Sequence, residues 1–194
     1  MGKLGEFSRG RGLPKELLTD SGLPAIHYGQ LYTEFEVWTN VAVSCVSAAH
    51  AADTGLALPG NLLMPVSDVT PKNVGKAVAW LGKESVRVGG DVLVFSHSLD
   101  PKYLAFYCET DKFQKQKLSM VTGATVRHIS AKSLSKILIP VPSLEAQVEI
   151  AETLTRLHEL IHSLKFGLPA EIAARRKQYE YYRDKLLTFP EAAA

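Results

Sequence analysis

Two patterns of hydrophobic and polar positions divide this chain near residue 142. Before that point, short apolar runs rich in β-branched and aromatic residues alternate with glycine, proline, aspartate and asparagine, as in strands separated by turns. After it, apolar residues recur at helical spacing. The pattern predicts an α+β unit over residues 1–142, a long helical region over residues 143–189, and a frayed tail over residues 190–194.

The apolar runs of the first part predict strands over Val37–Val46, Leu62–Val66, Val92–Phe95 and Ile137–Val141. Gly89 and Gly90 predict a tight turn before the third of these strands, because glycine adopts the positive φ that such turns use. Helical spacing over Leu104–Lys117 predicts one helix. Ser130 is the predicted N-cap of a further helical turn.

The helical region carries a narrow apolar seam that begins after a predicted N-cap at Ser143. Successive spacings of 4, 3, 4, 3 and 4 separate Ile150, Leu154, Leu157, Ile161, Leu164 and Leu168. This is the a/d repeat of a coiled coil, which has to be buried against another helix.

The seam is interrupted at Gly167 and Pro169, where we expect the helix to be kinked or broken. Proline lacks the N–H that a helix needs and clashes with the preceding turn. Apolar residues resume afterwards with Ile172, Tyr179 and Leu186, seven positions apart. They predict a second helical segment beyond the proline.

Composition places the chain among ordinary globular proteins, with 194 residues, 46% of them hydrophobic and 22% charged. No run approaches the ~20 consecutive apolar residues of a membrane span, and residues 1–10 lack the apolar core of a signal peptide. We therefore expect a cytoplasmic protein without membrane contact. Two cysteines are too few for a disulfide scaffold or a four-cysteine zinc site.

Positive charge is concentrated locally, although the formal net charge is only +2. Residues 112–144 contain six lysines and arginines and no acidic residue. A second basic cluster comprises Lys3, Arg9, Arg11 and Lys15. Local positive surface attracts a polyanion by releasing its counterions. Scattered solvated charges would give the same counts, so charge alone leaves both interpretations open.

Candidate catalytic residues lack the spacing that catalysis requires. Ser96, His97 and Asp100 fall within five positions of each other, whereas triad members converge from separate elements. His158 and His162, four residues apart on the helix, have no third ligand in a recognisable pattern. We therefore expect no catalytic site, no cofactor and no metal site in this chain.

One enzymatic alternative stays open. Asp91 and the run Asp100-Pro101-Lys102 loosely fit the two carboxylates and one lysine of metal-dependent nucleases. In that arrangement the second carboxylate and the lysine lie on a strand, and Pro101 between them removes a ladder hydrogen bond. The proline weakens the nuclease hypothesis.

Several segments, taken in order, resemble one known family. They are Lys3–Glu6 with Arg9–Gly12, Ala25–Leu31, Gly90–Val94, Gly123–Ser130, Ile139–Gln147 and Glu171–Leu187. The most specific is Ile139–Gln147, a predicted strand that ends in Pro-x-Pro before a helix with glutamine in its first turn. The chain thus resembles a specificity subunit of a type I restriction-modification system, with one target recognition domain and one conserved helical region.

The resemblance implies a non-catalytic DNA-binding protein with a compact mixed α/β recognition domain. Such a domain reads one half of a bipartite double-stranded DNA target. The helices act as a spacer and dock methylation subunits and a restriction subunit, so the catalytic sites are on other chains. The chain also lacks the Asn/Asp-Pro-Pro-Tyr/Phe run of an adenine methyltransferase, which agrees with base flipping and methylation by a partner.

Candidate DNA contacts come from two segments that contain glycine and from one nearby tyrosine. They are Arg9, Arg11, Lys15, Tyr28, Lys115, Lys117, Arg127 and His128. Lysine and arginine would bind phosphates and set the register, and other side chains would read base edges. Alternatively, Gly123–Ile129 is a structural turn and strand, with only some of these charges facing DNA.

The chain departs from the usual family pattern because it carries one copy of each part where typical members carry two. Its seam then lacks a second long helix in the same chain. The residues expected at the helix interface are Leu154, Leu157, Ile161, Leu164, Tyr179 and Leu186. We predict an antiparallel homodimer with a palindromic target. Pairing with a different specificity chain, a silent or truncated cassette, and a helical adaptor without a nucleic-acid role are the alternatives.

Overall fold

The computed structural model describes the backbone of residues 1–187, and their side chains except those of residues 164–166, 175–176 and 179–187. The predicted tail, residues 190–194, lies outside the described residues. The chain divides into two compact units, Met1–Ala151 and Glu152–Ala194. The first unit extends past Pro142 because Gln147 and Ala151, in the first turns of the last helix, are buried.

Within residues 1–187, twelve short strands and six helices follow one another. The strands are β1 Gly5–Arg9, β2 Leu18–Thr19, β3 Leu23–Ile26, β4 Trp38–Thr39, β5 Ser44–Val46, β6 Gly55–Ala57, β7 Leu62–Pro65, β8 Ser67–Asp68, β9 Val78–Trp80, β10 Val86–Val88, β11 Val92–His97 and β12 Arg127–His128. The helices are α1 Gln30–Thr33, α2 Ala48–Ala51, α3 Pro101–Glu109, α4 Asp111–Leu118, α5 Ala131–Ser135 and α6 Leu144–Leu187. The mixed α+β class and the long C-terminal helix are confirmed.

The strands form two five-stranded sheets and one small two-stranded sheet. The first sheet has the order β1-β11-β7-β9-β4, with β1 antiparallel to β11 and Phe7 opposite Phe95. The second has the order β2-β5-β3-β10-β6. The two-stranded sheet pairs β8 with β12, so Asp68 lies opposite Arg127 and Ser67 opposite His128.

The core lies on both faces of β7 and β11. Phe95 packs in a cluster with Leu104 of α3, whereas the preceding Val94 packs in a cluster with Val88 of β10. Because successive residues of a strand point to opposite faces, a strand covered on both sides needs a continuous apolar run. This is why the predicted strands Leu62–Val66 and Val92–Phe95 are found almost where the sequence places them.

Two other predicted strands are wrong. Val37–Val46 contains two short strands that belong to different sheets, β4 and β5. Ile137–Val141 is in no sheet, because the side chain of Gln116 takes the place of a neighbouring strand. Its Oε1 accepts from the Leu138 N–H at 2.9 Å, and its Nε2 donates to the Leu138 carbonyl at 3.1 Å.

The single helix predicted over Leu104–Lys117 is two helices, α3 and α4. They meet at Thr110, whose backbone is extended and whose Oγ1 accepts from the Phe113 N–H as an N-cap. A threonine side chain can accept a hydrogen bond from a backbone N–H at the start of a helix. It thereby stabilises an extended backbone at its own position, which ends one helix and begins the next. The predicted cap at Ser130 is confirmed, since its Oγ accepts from the Ser133 N–H at 3.0 Å.

The long helix α6 begins as predicted, with the Ser143 Oγ accepting from the Ala146 N–H at 3.3 Å. Of the kink or break predicted near Gly167 and Pro169, the break is wrong, because α6 is continuous through both residues to Leu187. A kink at this position stays a prediction. Proline has no N–H to donate and its ring crowds the preceding turn, so Pro169 lowers the stability of the helix by about 3 kcal/mol. The turns on either side keep their own hydrogen bonds, and helix formation propagates through them.

Part of the predicted seam is exposed to solvent. Ile150 is 40% exposed, Leu157 51% and Ile161 58%, while Leu154 is half-buried. The side chains of Leu164, Tyr179 and Leu186 lie outside the described part of the chain. In the span of residues 1–187, no helix combines the length and apolar character needed to cross a bilayer.

Candidate nucleic-acid interface

Arg9 ends the edge strand β1, opposite Leu93 of β11. Its Nε donates to the Gly90 carbonyl at 2.6 Å, and its Nη2 lies 3.6 Å from Oδ1 of Asp91. The Arg9 side chain is nonetheless 64% exposed. The turn before β11 therefore orients a guanidinium that still presents much of its surface to a ligand.

Gly10 explains why the chain after β1 can run so close to this turn. A Cβ at Gly10 would lie 2.1 Å from the Gly89 carbonyl oxygen, which no other residue tolerates. The Gly10 N–H donates to the Val92 carbonyl at 2.9 Å. Arg11 and Lys15 follow on the exposed surface, as their assignment to DNA contacts requires.

His27 and Tyr28 follow the end of β3, with ring centroids 4.3 Å apart. The His27 Nδ1 accepts from the Gly29 N–H at 3.2 Å. Burial lowers the pKa of His27, and the charge of Lys15 lowers it further, while Asp91 opposes the shift. Tyr28 is 36% exposed, so it stays available for a contact.

Residues 122–128 form a closed loop that ends in β12. The backbone groups of Thr122 and His128 exchange two hydrogen bonds of 2.9 and 2.8 Å. Gly123 has φ +97°, and a Cβ there would lie 2.1 Å from the Val126 carbonyl oxygen. The Arg127 Nη1 donates to the Gly123 carbonyl, so part of this guanidinium supports its own loop. His128 is exposed.

An open pocket of about 380 Å³ joins the two segments. Its walls are Phe7, Ser8, Arg9, Val66, Leu93, Thr122, His128, Ile129, Ser130 and Ala131. Arg9 and His128, which are 119 positions apart in the sequence, therefore line one site. This pocket is the centre of the candidate interface.

Two of the predicted basic contacts lie elsewhere. Lys115 is exposed on α4 and is not among the residues lining this pocket. Lys117 is fully buried, and its Nζ donates to the Lys72 carbonyl at 2.7 Å. The prediction that Lys117 contacts DNA is therefore wrong, because its ammonium is packed inside the fold.

The residues of the nuclease alternative are separated. Asp91 precedes β11 and Asp100 follows it, so a six-residue strand, about 20 Å long, lies between them. The Asp100 Oδ1 caps α3 by accepting from the Tyr103 N–H at 2.7 Å. The Lys102 Nζ lies 4.4 Å from the centroid of the Trp38 ring. These three side chains cannot share one metal ion.

The sequence does not indicate that Asp91 is a neighbour of Arg9, although the two side chains form an ion pair. Gly89 and Gly90 could have indicated this position, because they predict a tight turn. A tight turn beside an edge strand brings the following polar residue, here Asp91, close to that strand.

Comparison with known proteins gives consistent matches. Residues 73–174, more than half of the chain, match the family described as type I restriction modification DNA specificity domain. The chain is 47% identical over 70 residues to a type I restriction enzyme specificity subunit of Escherichia coli, an overlap that covers 36% of this chain and 17% of that protein.

Two solved structures share the fold. A chain from a structural study of the type I R-M system has a TM-score of 0.64 at 23% identity, covering 92% of this chain and 42% of its own length. The type I S subunit from M. genitalium has a TM-score of 0.55 at 18% identity, covering 98% and 45%. The chain thus covers less than half the length of each of these three proteins.

Proposed function

Because this chain belongs to the type I restriction modification DNA specificity domain family, we propose that it reads a double-stranded DNA sequence for a type I restriction-modification complex. The convergence of Arg9 and His128 on one pocket carries this proposal. The chain itself would be non-catalytic, with methylation and cleavage performed by other subunits. Such a complex would act in the cytoplasm, where the cell's DNA lies.

Arg9, Tyr28 and His128 are the side chains that we assign to base edges. Arginine can donate two parallel hydrogen bonds to the O6 and N7 atoms of guanine, and the Asp91 turn orients the Arg9 guanidinium. Histidine and tyrosine can add hydrogen bonds or stacking contacts. Exposure of all three side chains supports the assignment.

Phosphate contacts would set the register of the protein on the duplex. We assign them to Arg11 and Arg127, which lie within two residues of the pocket residues Arg9 and His128, and to the exposed Lys15 and Lys115. Each phosphate contact that is lost reduces the slope of log affinity against log salt concentration by about 0.9. The assignment is therefore measurable residue by residue.

Helix α6 would serve as a coiled-coil spacer and as the docking surface for methylation subunits and a restriction subunit. Its exposed apolar residues, among them Leu157 and Ile161, support pairing with a second copy of the helix. An antiparallel homodimer would place two copies of the recognition unit at the two halves of a palindromic target.

Selection from a random duplex pool tests the DNA-reading function. The full chain is purified with a type I methylation subunit and is used to capture 40-base-pair duplexes, a length of about four helical turns. We expect enrichment of a shared motif and binding that weakens with salt. A stable complex that enriches no motif would favour a silent cassette or an adaptor. Magnesium-dependent cleavage, lost in Asp91→Ala, would instead select the nuclease.

A further inference from the structure

Lys117 is a buried lysine on the inner face of α4, the face that also carries the buried Phe113. Its side chain is 0% exposed, whereas Lys115 on the same helix is exposed. Burial lowers the pKa of its ammonium to about 8. Among the described residues, no carboxylate forms an ion pair with it, although the negative charge of Glu109 opposes the lowering of its pKa. A charge taken out of water without an opposite charge costs stability, so this lysine is not explained by packing alone.

The hydrogen bond of Lys117 anchors one particular segment, residues 66–76, which we name the anchor loop. The Lys117 Nζ donates to the carbonyl of Lys72, near the middle of the anchor loop. The ends of the loop are tied to other segments, with the Val66 N–H donating to the Asp91 carbonyl at 2.9 Å and the Gly75 N–H to the Pro65 carbonyl at 2.8 Å. Its middle is held by Lys117 and by hydrogen bonds within the loop. The Asp68 Oδ1 accepts from the Thr70 N–H at 2.6 Å and from the Asn73 Nδ2 at 3.3 Å.

The anchor loop in turn holds β12. The β8–β12 sheet contains only two residues in each strand, too few to be stable without support. The Ile129 N–H, directly after β12, donates to the Val66 carbonyl at 3.0 Å. His128 of β12 lines the pocket that also contains Arg9. The position of β12 relative to Arg9 therefore depends on the anchor loop.

We propose that Lys117 is a positioning residue for DNA recognition: by holding the Lys72 carbonyl it fixes the anchor loop, and with it the place of His128 beside Arg9. The Arg127 guanidinium is held separately, by the Gly123 carbonyl of its own loop. This inference rests on the proposed function. It assigns Lys117 no contact with DNA. Its removal should therefore reduce discrimination between sequences and leave the number of phosphate contacts unchanged.

The test compares Lys117→Met with Lys112→Met, which removes the same charge from an exposed site on the same helix. Both variants are made in the full chain and purified with the methylation subunit. The measurements are the melting temperature and, across a salt series, the affinity for the selected duplex and for a scrambled duplex of equal length.

For Lys117→Met we expect a melting temperature close to that of the wild type, because removing a buried charge without an ion-pair partner offsets the lost hydrogen bond to the Lys72 carbonyl. Affinity for the selected duplex should fall about 3- to 30-fold, with unchanged affinity for the scrambled duplex and an unchanged salt slope. Lys112→Met should keep the ratio of the two affinities. A salt slope lowered by about 0.9, with equal losses on both duplexes, would mean that Lys117 contacts phosphate after all.

A second variant keeps the proposal testable if Lys117→Met does not fold. Asn73→Ala releases the anchor loop from Asp68 without changing the core or the net charge. Asn73→Ala should also lower the ratio of the affinities for the selected and the scrambled duplex, with an unchanged salt slope. The effect of the double variant on this ratio should be smaller than the sum of the two single effects. Unchanged discrimination in Asn73→Ala would overturn the positioning role. A wild-type complex that does not distinguish the two duplexes would overturn the proposed function itself.

Discussion

At the scale of single residues, Arg9 shows how an exposed ion pair can orient a side chain without adding much stability. The Arg9 and Asp91 side chains are 64% and 50% exposed, so their attraction contributes little to stability. Together with the bond to the Gly90 carbonyl, however, the pair limits the directions in which the guanidinium can point. Reduced side-chain freedom before binding lowers the entropy cost of a bidentate contact.

Arg11→Ala and Arg127→Ala should each weaken DNA binding by the assembled complex. If each side chain neutralises one phosphate, the salt slope falls by about 0.9 for each substitution. Titration of a duplex at several salt concentrations measures this slope. Lys83→Ala, at an exposed lysine that lines a different pocket, is the matched control and should leave the slope unchanged. Unchanged affinity and slope in both arginine variants would refute their placement.

The pKa of His27 predicts how stability responds to pH. Since burial lowers this pKa below the ordinary value of 6.5, the unfolded chain binds the proton more tightly. Protonation would also remove the acceptor that Nδ1 offers to the Gly29 N–H. The free energy of unfolding should thus fall as the pH decreases below 6.5. Denaturant titrations should show a shallower fall for His27→Asn, which keeps an acceptor but does not titrate, whereas parallel pH profiles would contradict this.

The wrong assignment of Lys117 has a simple geometric origin. Residues two apart in a helix project about 200° apart, so Lys115 and Lys117 cannot share a face. Phe113 lies four residues before Lys117, on the same face, and both are buried. The sequence therefore held the signal that separates the two lysines, but counting charge over a segment ignored it.

At the scale of elements, Gln147 fastens the start of α6 to α3. Its Nε2 donates to the Pro142 carbonyl and its Oε1 accepts from the Asp100 N–H, both at 2.9 Å. This explains in physical terms why a glutamine in the first turn belongs to the quoted family motif. Only a side chain with both a donor and an acceptor satisfies the two buried backbone groups.

Gln147→Met should destabilise the first unit by about 1–3 kcal/mol, because it leaves these two backbone groups unsatisfied while nearly preserving volume. Urea unfolding of the full chain measures the difference. Glu149→Met, at an exposed position of the same helix, should change the free energy by less than about 0.5 kcal/mol. Equal stabilities for the two variants would show that Gln147 is not the fastening residue.

Elements were predictable where burial alone decides them. β7 and β11 follow from continuous apolar runs, and α6 follows from its capped periodic pattern. Predictions failed where side chains redirect the backbone: Thr110 starts a new helix, and Gln116 satisfies Leu138 in place of a strand. Secondary-structure propensities describe neighbouring residues, so they cannot reveal a hydrogen bond between Gln116 and Leu138, which are 22 positions apart.

At the scale of the whole molecule, the proposed homodimer makes a prediction about mass. The full chain should sediment as a dimer at micromolar concentration, because separate chains would leave Leu157 and Ile161 exposed. The double substitution Leu157→Asp and Ile161→Asp should yield monomers with unchanged helical content. A monomeric mass for the wild-type chain would contradict the dimer.

The candidate interface was only partly predictable from the sequence. Glycines and basic residues marked both segments, Arg9–Lys15 and Arg127–His128, as surface that could approach a polyanion. Their convergence on one pocket depends on the pairing of β1 with β11 and of β8 with β12. These strand pairings join residues that are far apart in the chain, so they cannot be predicted from the order of polar and apolar residues within one segment.

The most direct measurement is the methylation pattern that this chain directs in cells. The chain is co-expressed with a type I methylation subunit in a host without other methylation, and the modified bases are sequenced. We predict a bipartite palindromic motif, read by two copies of the same recognition unit. Absence of any modification, despite a stable complex with an active methylation subunit, would contradict the claim that this chain selects a DNA sequence.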